Sequence, residues 1–298
     1  ISKTSTGKLI NPDWNKEGVL LDAYTDLDTY VSTWMPWLDE APLPPAETVI
    51  GGGAGGVSFA KAGSNGEDGR AAVWIFAPAK PGGDGGNGPS VTFNTNNQPP
   101  AAGATPEQFP SSINSNSQAG LLVSSVGGNG GDGGSATFTW FGGEGGGQGG
   151  LGGDVNLTIG SNVEQIATTG NALIGVEVLS RSGQGGDGGG GFLAPSAGDG
   201  GDAGNNGGNL VVNNSAGKVI TSGTRSPGIS ALSVSGNGGT GGAQWGLVGR
   251  AGSGGGAGFG GTVTVTNNAN SLIETQGTLS PGIEAQSVGG AGGSAGNS

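Results

Sequence analysis

The sequence has no cysteine and no histidine among its 298 residues. The absence of cysteine excludes disulfides and thiolate nucleophiles, and the absence of histidine excludes imidazole bases and histidine-ligated metals. Hydrophobic residues make up 32% of the chain and aromatic residues 5%, both below the usage of an ordinary globular domain. This composition excludes one thick hydrophobic core and favours a thin, repetitive fold that is rich in backbone hydrogen bonds.

Basic residues are also scarce, because 10 Lys and Arg stand against 22 Asp and Glu, which gives a net charge of −12. Nucleic-acid binding relies on clustered basic residues that displace counterions from phosphates, so we expect no nucleic-acid partner. No run of about 18 apolar residues predicts a transmembrane helix. The chain begins at Ile1 without a signal pattern and ends in another glycine run, and we expect it to be a trimmed piece of a longer protein.

Glycine, by contrast, is in large excess, with 72 residues against an average usage of roughly 7%. The chain is also repetitive, since Gly175, Gly228 and Gly282 each precede a short alternating segment and recur at nearly equal steps. An earlier copy follows Gly120. A fixed period of this kind is typical of solenoids and other repeat architectures.

Each repeat holds three short segments that alternate apolar and polar residues, the pattern of half-buried strands. Equivalent apolar positions such as Leu157, Leu210 and Val263 recur at steps of 53. Val219 and Leu272 occupy equivalent positions with the same separation. Strands that cannot bury their apolar face alone predict stacking. The predicted fold is therefore all-β, a right-handed parallel β-helix with three short strands per coil. An antiparallel β-sandwich is the alternative, but it does not explain the constant step.

The glycine runs between the strands follow a Gly-Gly-X period of three, which matches the three residues per turn of a polyproline II helix. We expect each coil to extend a glycine arm and bring it back, with successive arms packed as a polyglycine II bundle. Flexible loops and mixed β structure are the alternatives. Two Ser-Pro-Gly triplets, at 226–228 and 280–282, predict type II turns with glycine in the left-handed conformation.

The sequence divides into three regions. Residues 1–48 form a capping or interaction segment, residues 49–88 a degenerate first glycine-rich coil, and residues 89–298 the repeats with their arms. The first region carries an amphipathic helical stripe at steps of four and three, formed by Leu20, Tyr24, Leu27, Val31, Trp34 and Leu38. We predict that it caps the open end of the solenoid, with a recognition domain or a subunit-pairing segment as alternatives.

Candidate chemistry is thin. The run 127–132, GGNGGD, loosely resembles a calcium-binding repeat, which makes Asp132 and Asp187 weak candidate calcium ligands. The alternative is that these acids only keep the glycine runs soluble. Asp22, Asp26 and Asp28 are interpreted as a solvated acidic face. We predict no catalytic residue, no enzyme activity and no cofactor other than calcium.

Short aromatic patches interrupt the glycine runs with the same spacing, since Trp140, Phe192 and Trp245 recur at steps of 52 and 53. Together with Phe141 they are the candidate surface-interaction residues. One hypothesis is that they form an exposed adhesive or sugar-stacking stripe at the arm tips. The alternative is that they pack together and hold the arms, because exposed tryptophans favour aggregation.

The run GTLSPGIEAQSVGG at residues 277–290 is similar to repeats in glycine-rich passenger domains of Gram-negative autotransporters. Those repeats look like S-x-G-I-x-A-Q-S-I/V-G-G, followed by glycine tracts and a strand such as VTVTN at residues 263–267. Residues 226–234, SPGISALSV, are a second and more divergent copy. The resemblance covers residues 89–298.

This resemblance implies a parallel β-helix passenger that is exported across the outer membrane and acts at the bacterial surface or outside the cell. It also implies a non-catalytic role in adhesion, autoaggregation or biofilm formation. The partners would be a host or neighbouring cell surface, glycans or further copies of the chain. A self-assembling subunit of an extracellular filament or coat is the alternative.

Overall fold

A computed structural model describes residues 47–50, 56–73, 78–97, 109–246 and 249–298. This part is essentially all-β, with eighteen strands and a short 3-10 helix at Thr95–Asn97, and the predicted all-β class is confirmed. No helix in these ranges has the length and apolarity that a membrane span requires. Residues 1–46, which hold most of the predicted capping segment, lie outside the described residues.

Six strands form the largest sheet, here named sheet A. Its order is β1 (Glu47–Ile50), β2 (Val57–Ala62), β6 (Leu121–Val126), β10 (Val176–Arg181), β14 (Ile229–Val234) and β18 (Ile283–Val288). All neighbours in this sheet are parallel except β1, which pairs antiparallel with β2. The strand β1 therefore occupies the first edge of sheet A.

Three further sheets are wholly parallel. Sheet B contains β4 (Val91–Asn94), β8 (Val155–Ile159), β12 (Leu210–Asn214) and β16 (Val263–Asn267). Sheet C contains β5 (Ser112–Ser115), β9 (Gln165–Thr169), β13 (Lys218–Ser222) and β17 (Leu272–Gln276). The tip sheet consists of two-residue strands, β3 (Ala72–Val73), β7 (Ala136–Thr137), β11 (Gly191–Phe192) and β15 (Gln244–Trp245).

In each repeat the chain passes from sheet A to the tip sheet, then to sheet B, sheet C and back to sheet A. Partners on neighbouring sheet A strands are about one repeat apart, as in the series Leu121, Val176 and Ile229. The described part of residues 49–88, expected to form a degenerate first glycine-rich coil, supplies β2 and β3.

The register corrects two predicted pairings. Leu210 pairs with Val155 and not with Leu157, because the repeat is slightly longer at this point. Val219 pairs with Ile273 and not with Leu272. A slip of two residues leaves side chains on the same face of a sheet, whereas a slip of one residue reverses the face. The second correction therefore places Ile273, and not the exposed Leu272, against the core.

The hydrophobic core lies between sheets A, B and C. Val178 of sheet A, Leu157 of sheet B and Ile166 of sheet C belong to one cluster and are fully buried. Full burial of a side chain of this size contributes about 1.5–3 kcal/mol. The core is thin, as the composition predicts, because each repeat adds only a few such residues.

The prediction of type II turns at the Ser-Pro-Gly triplets 226–228 and 280–282 is wrong, because the glycine of such a turn must have left-handed backbone. Next to the two triplets, the non-glycine residues with left-handed backbone are Arg225 and Leu279, at φ 57° and 58°, and neither Gly228 nor Gly282 has a positive φ. Gly228 is instead required by close packing, because a Cβ there would lie 2.4 Å from Cγ2 of Ile273 and 2.7 Å from the carbonyl oxygen of Gly282.

Candidate functional site

Glycine-rich segments extend from the core in every repeat. Outgoing segments follow the sheet A strands, and returning segments precede the sheet B strands. The outgoing segments are residues 63–71, 127–135, 182–190, 235–243 and 289–297. The returning segments are residues 80–90, 143–154, 197–209 and 251–262. The tip sheet lies where an outgoing segment leads into a returning one.

The triplet Gly185-Gly186-Asp187 shows how these segments are bonded. The amide of Gly185 donates to the carbonyl of Asn237 in the next outgoing segment, at 2.9 Å. The amide of Gly186 donates to the carbonyl of Gly147 in a returning segment, at 2.9 Å. The amide of Asp187 donates to Oδ1 of Asp132 in the preceding outgoing segment, at 2.9 Å. All three amides of the triplet therefore have partners in three different segments.

The same pattern recurs in other triplets. Gly130 donates to the carbonyl of Gln184 and Gly131 to that of Gly83, both at 2.8 Å. The outward amide of Thr240 donates to Oδ1 of Asp187 at 2.7 Å. Each segment is thus bonded to several others with a period of three residues, which accounts for the Gly-Gly-X sequence.

Steric crowding explains why two residues of each triplet are glycine. A Cβ at Gly186 would lie 2.0 Å from the carbonyl oxygen of Gly131. By contrast, a Cβ at Gly145, which lies at the X position, would have the carbonyl oxygen of Asp199 as its nearest neighbour, at 3.3 Å. At crowded positions such as Gly186 a side chain does not fit, whereas the outward positions have room for one.

The candidate calcium ligands Asp132 and Asp187 occupy neighbouring outward positions. Asp132 accepts the amide of Asp187, and Asp187 accepts the amide of Thr240. In the residues that the structure describes, no group of three or more acidic side chains is placed to hold a metal ion. The role that the geometry gives these carboxylates is to satisfy outward amides that no neighbouring segment reaches. Sequence analysis missed this role, although Asp and Asn at the X position were its signal.

The four candidate interaction residues lie at or next to the tip sheet, and all are exposed. Trp140 is 79% and Trp245 65% exposed, and Phe141 and Phe192 are each about half exposed. Phe192 and Trp245 are paired on adjacent tip strands. Three further residues extend this surface, namely Val73, Phe138 and Leu193. We refer to these seven residues as the tip patch.

The backbone under the tip patch is strained. Phe138 and Leu193 have left-handed backbone, with φ of 54° and 50°, a conformation that costs roughly 1–2 kcal/mol for a residue other than glycine. The Phe138 ring contacts the Phe192 ring edge to face, with centroids 5.3 Å apart. Backbone strain is often stored at functional sites, and here it coincides with exposed apolar side chains.

A buried amide supports the patch from below. Gln244, next to Trp245, is buried, and its Nε2 donates to the carbonyl of Ala194 at 2.7 Å. Its Oε1 has no hydrogen-bond partner. The side chain of Gln244 thus fixes the chain after Leu193 to the last tip strand.

These features provide an exposed apolar surface. The tip patch contains no titratable group. Its side chains can pack or stack against a partner, and the indole N–H groups of Trp140 and Trp245 can donate hydrogen bonds. Comparison with known protein families, curated proteins and solved structures finds no match to this chain.

Proposed function

We propose that this chain is a non-catalytic structural adhesin that acts at the bacterial surface or outside the cell, as a passenger segment of an autotransporter-like protein. In this proposal sheets A, B and C form a right-handed parallel β-helix. The glycine segments form a polyglycine II bundle, and this bundle holds the tip patch away from the core. The autotransporter assignment relies on the repeat motif at residues 277–290.

The β-helix is supported by the recurrent path through three parallel sheets with partners about one repeat apart. The polyglycine II bundle is supported by the period of three in the hydrogen bonds between segments. An eight-residue arm of this type reaches about 25 Å at about 3.1 Å per residue. The bundle would therefore present the tip patch well clear of the core.

The observation that carries the adhesive function is the exposed tip patch. Soluble proteins rarely expose a contiguous group of large apolar side chains unless it binds something. Tryptophan and phenylalanine are among the residues that dominate contact energy in binding surfaces. The patch also lies on a bonded support, as a preformed binding surface requires. Its partners would be glycans, whose apolar ring faces stack on aromatic side chains, or further copies of the chain.

The test has two assays. The first measures whether beads coated with the purified chain cluster with one another. The second measures whether the soluble chain binds to an array of plant and bacterial polysaccharides. The variant carries Trp140→Ser and Trp245→Ser. The matched control is Phe259→Ser, because Phe259 is 69% exposed but lies on a returning segment outside the patch.

We expect the double variant to lose bead clustering or polysaccharide binding, and the control to retain it. Loss in the bead assay alone identifies self-association, and loss on the array alone identifies a glycan partner. The adhesive function is refuted if the native chain binds neither target, or if the double variant binds as well as the control.

A second candidate is a self-assembling subunit of an extracellular filament or coat. The tip patch favours this candidate too, because exposed apolar side chains also pack against further copies of the same chain. Electron microscopy of the concentrated chain would show fibres that Trp140→Ser with Trp245→Ser abolishes and Phe259→Ser does not. A chain that stays monomeric at all concentrations excludes this candidate.

A further inference from the structure

The sequence contains five asparagines that are followed directly by glycine. They are Asn65, Asn87, Asn129, Asn206 and Asn237, and all five lie in the glycine-rich segments. An Asn-Gly pair is prone to spontaneous deamidation, because glycine has no side chain to shield its amide nitrogen from the neighbouring carboxamide. These pairs are therefore candidate sites of covalent modification.

One pair shows how the surrounding segments restrain this chemistry. The amide of Gln184 donates to Oδ1 of Asn129 at 3.0 Å. The amide of Gly130 donates to the carbonyl oxygen of Gln184 at 2.8 Å. A single residue of the following repeat therefore holds both the side chain of the asparagine and the amide of the glycine. We call this arrangement the two-bond clamp.

The two-bond clamp recurs at three more of the pairs. The bonds to the asparagine side chains are 2.8–3.0 Å long, and the bonds from the glycine amides are 2.8–2.9 Å long. The clamping residues for the pairs at Asn65, Asn87 and Asn237 are Asn129, Leu151 and Ala291, respectively. Because the clamp uses only backbone groups of the following segment, it does not depend on which side chain that segment carries.

The fifth pair, Asn206-Gly207, is held differently. The amide of Gly207 donates to the carbonyl oxygen of Phe259 at 2.8 Å, as in the two-bond clamp. The amide of Phe259, however, donates to the backbone carbonyl of Asn205, at 3.1 Å, and not to the side chain of Asn206. Asn206 is also exposed. Its carboxamide is therefore not fixed by the following segment.

Deamidation requires both of the groups that the two-bond clamp holds. The glycine amide nitrogen must lose its proton and attack Cγ of the asparagine, which closes a succinimide ring. The bond from Cγ to Nδ2 breaks, and ammonia leaves with the lost proton. Water then hydrolyses either carbonyl of the ring, which gives aspartate or isoaspartate. A clamped pair is protected, because its N–H is bonded to a carbonyl and its side chain to an amide of the neighbouring segment.

We propose that Asn206 is the site at which the folded chain is modified by succinimide formation, and that the four clamped asparagines react only when the following segment separates. Aspartate keeps a side-chain oxygen that can accept the same amide. Isoaspartate adds one carbon to the main chain, which moves the glycines behind it out of their period of three. Isoaspartate at a clamped position therefore prevents the segment from closing again in the same register.

The test follows all five asparagines at once in the purified full chain. Peptide mass spectrometry measures how fast each becomes aspartate or isoaspartate in neutral buffer, in the native chain and in the chain unfolded by urea. Gln184→Pro removes the amide that donates to Asn129 but keeps the carbonyl that accepts from Gly130. The matched control is Gln148→Pro, because the amide of Gln148 donates to Oδ1 of Asp84 and not to an asparagine.

In the native chain, Asn206 should be converted at least about fivefold faster than each clamped asparagine, the ratio that corresponds to one hydrogen bond of about 1 kcal/mol. In urea all five should react at similar rates, about 30-fold faster than a clamped asparagine in the native chain, because both bonds of the clamp are then lost. Gln184→Pro should accelerate the conversion of Asn129 about fivefold, and Gln148→Pro should leave it unchanged.

The comparison of the native chain with the chain in urea decides the proposal without any variant. Equal rates at the five asparagines in the native chain would overturn it. The same differences between the sites in urea would also overturn it, because the local sequence and not the clamp would then set the rates. The variants overturn it if Gln184→Pro leaves the conversion of Asn129 unchanged, or if Gln148→Pro accelerates that conversion equally.

Discussion

The glycine packing makes a sharp prediction for Gly186→Ala. The new Cβ would lie 2.0 Å from the carbonyl oxygen of Gly131 and 2.5 Å from its carbonyl carbon. Contacts below 3.0 Å are essentially absent among real Cβ atoms. The outgoing segments 127–135 and 182–190 must therefore separate by about 1 Å or more at this point, because close-packed backbone leaves no other escape.

The cost follows from the hydrogen bonds on either side of the contact. The amides of Gly130 and Gly133 donate across this gap at 2.8 and 2.7 Å, and the outward amide of Asp187 donates back across it at 2.9 Å. Each bond contributes about 0.5–1.5 kcal/mol, so losing them costs about 3 kcal/mol. Alanine also restricts the unfolded chain, which returns about 0.4–1 kcal/mol, so the net loss is about 2–3 kcal/mol.

The matched control is Gly145→Ala, whose Cβ would approach nothing nearer than 3.3 Å. It should be neutral or stabilising by about 0.4–1 kcal/mol. Amide exchange measured by NMR on the glycine-labelled chain is the assay, because stacked repeats can open locally. Exchange in segment 182–190 should accelerate about 30- to 150-fold in Gly186→Ala and stay unchanged in Gly145→Ala. Equal exchange in the two variants would show that crowding at Gly186 does not hold the hydrogen bonds between the segments 127–135 and 182–190.

Three further predictions concern titratable side chains. Burial raises the pKa of Glu177 from 4.5 to about 7, so the folded state keeps its proton longer than the unfolded chain. The free energy of unfolding, measured by urea titration, should therefore fall by about 3 kcal/mol as pH rises from about 4.5 to about 7. Glu177→Gln should not show this fall, and an equal fall in the variant would contradict the prediction. In thermal melting, Asp132→Asn should match the native chain because the asparagine oxygen can still accept the amide of Asp187. Asp132→Ala should lower the free energy of unfolding by about 1 kcal/mol. Equal melting of the two variants would show that this bond does not contribute to stability. Calcium and its chelator should leave the melting temperature unchanged, since one oxygen of each candidate carboxylate already accepts an amide, and a rise specific to calcium over magnesium would contradict this.

Much of the fold is predictable from the sequence because periodicity is a local property. The nearly constant step between repeats and the alternation of apolar residues predict parallel pairing between repeats, and the Gly-Gly-X period predicts that only every third residue bears a side chain. The register was predicted less well. Leu210 can face Val155 or Leu157 with its side chain on the same face, so alternation alone does not distinguish the two registers.

The sequence predicted which residues form the candidate site, but not whether these residues are exposed or which groups they contact. Spacing places Phe192 and Trp245 in equivalent positions, and the tip sheet pairs them. Whether such residues are exposed depends on how the glycine segments pack beside them, and the spacing along the sequence does not determine this packing. The role of Asp187 depends in the same way on a neighbour in the following repeat, Thr240.

The carboxylate and amide bonds along the outgoing segments all run in one direction, from an acceptor in one repeat to a donor in the next. Oδ1 of Asp68 accepts the amide of Asp132, Oδ1 of Asp132 accepts that of Asp187, and Oδ1 of Asp187 accepts that of Thr240. Each repeat therefore supplies the acceptor for an amide of the following repeat, and the series of bonds has a direction along the chain. Duplication or loss of a whole repeat keeps such a bond wherever the preceding copy has Asp or Asn at the equivalent outward position. An insertion of one or two residues would instead turn a side chain into the crowded interior, so such an array can change length in whole units only.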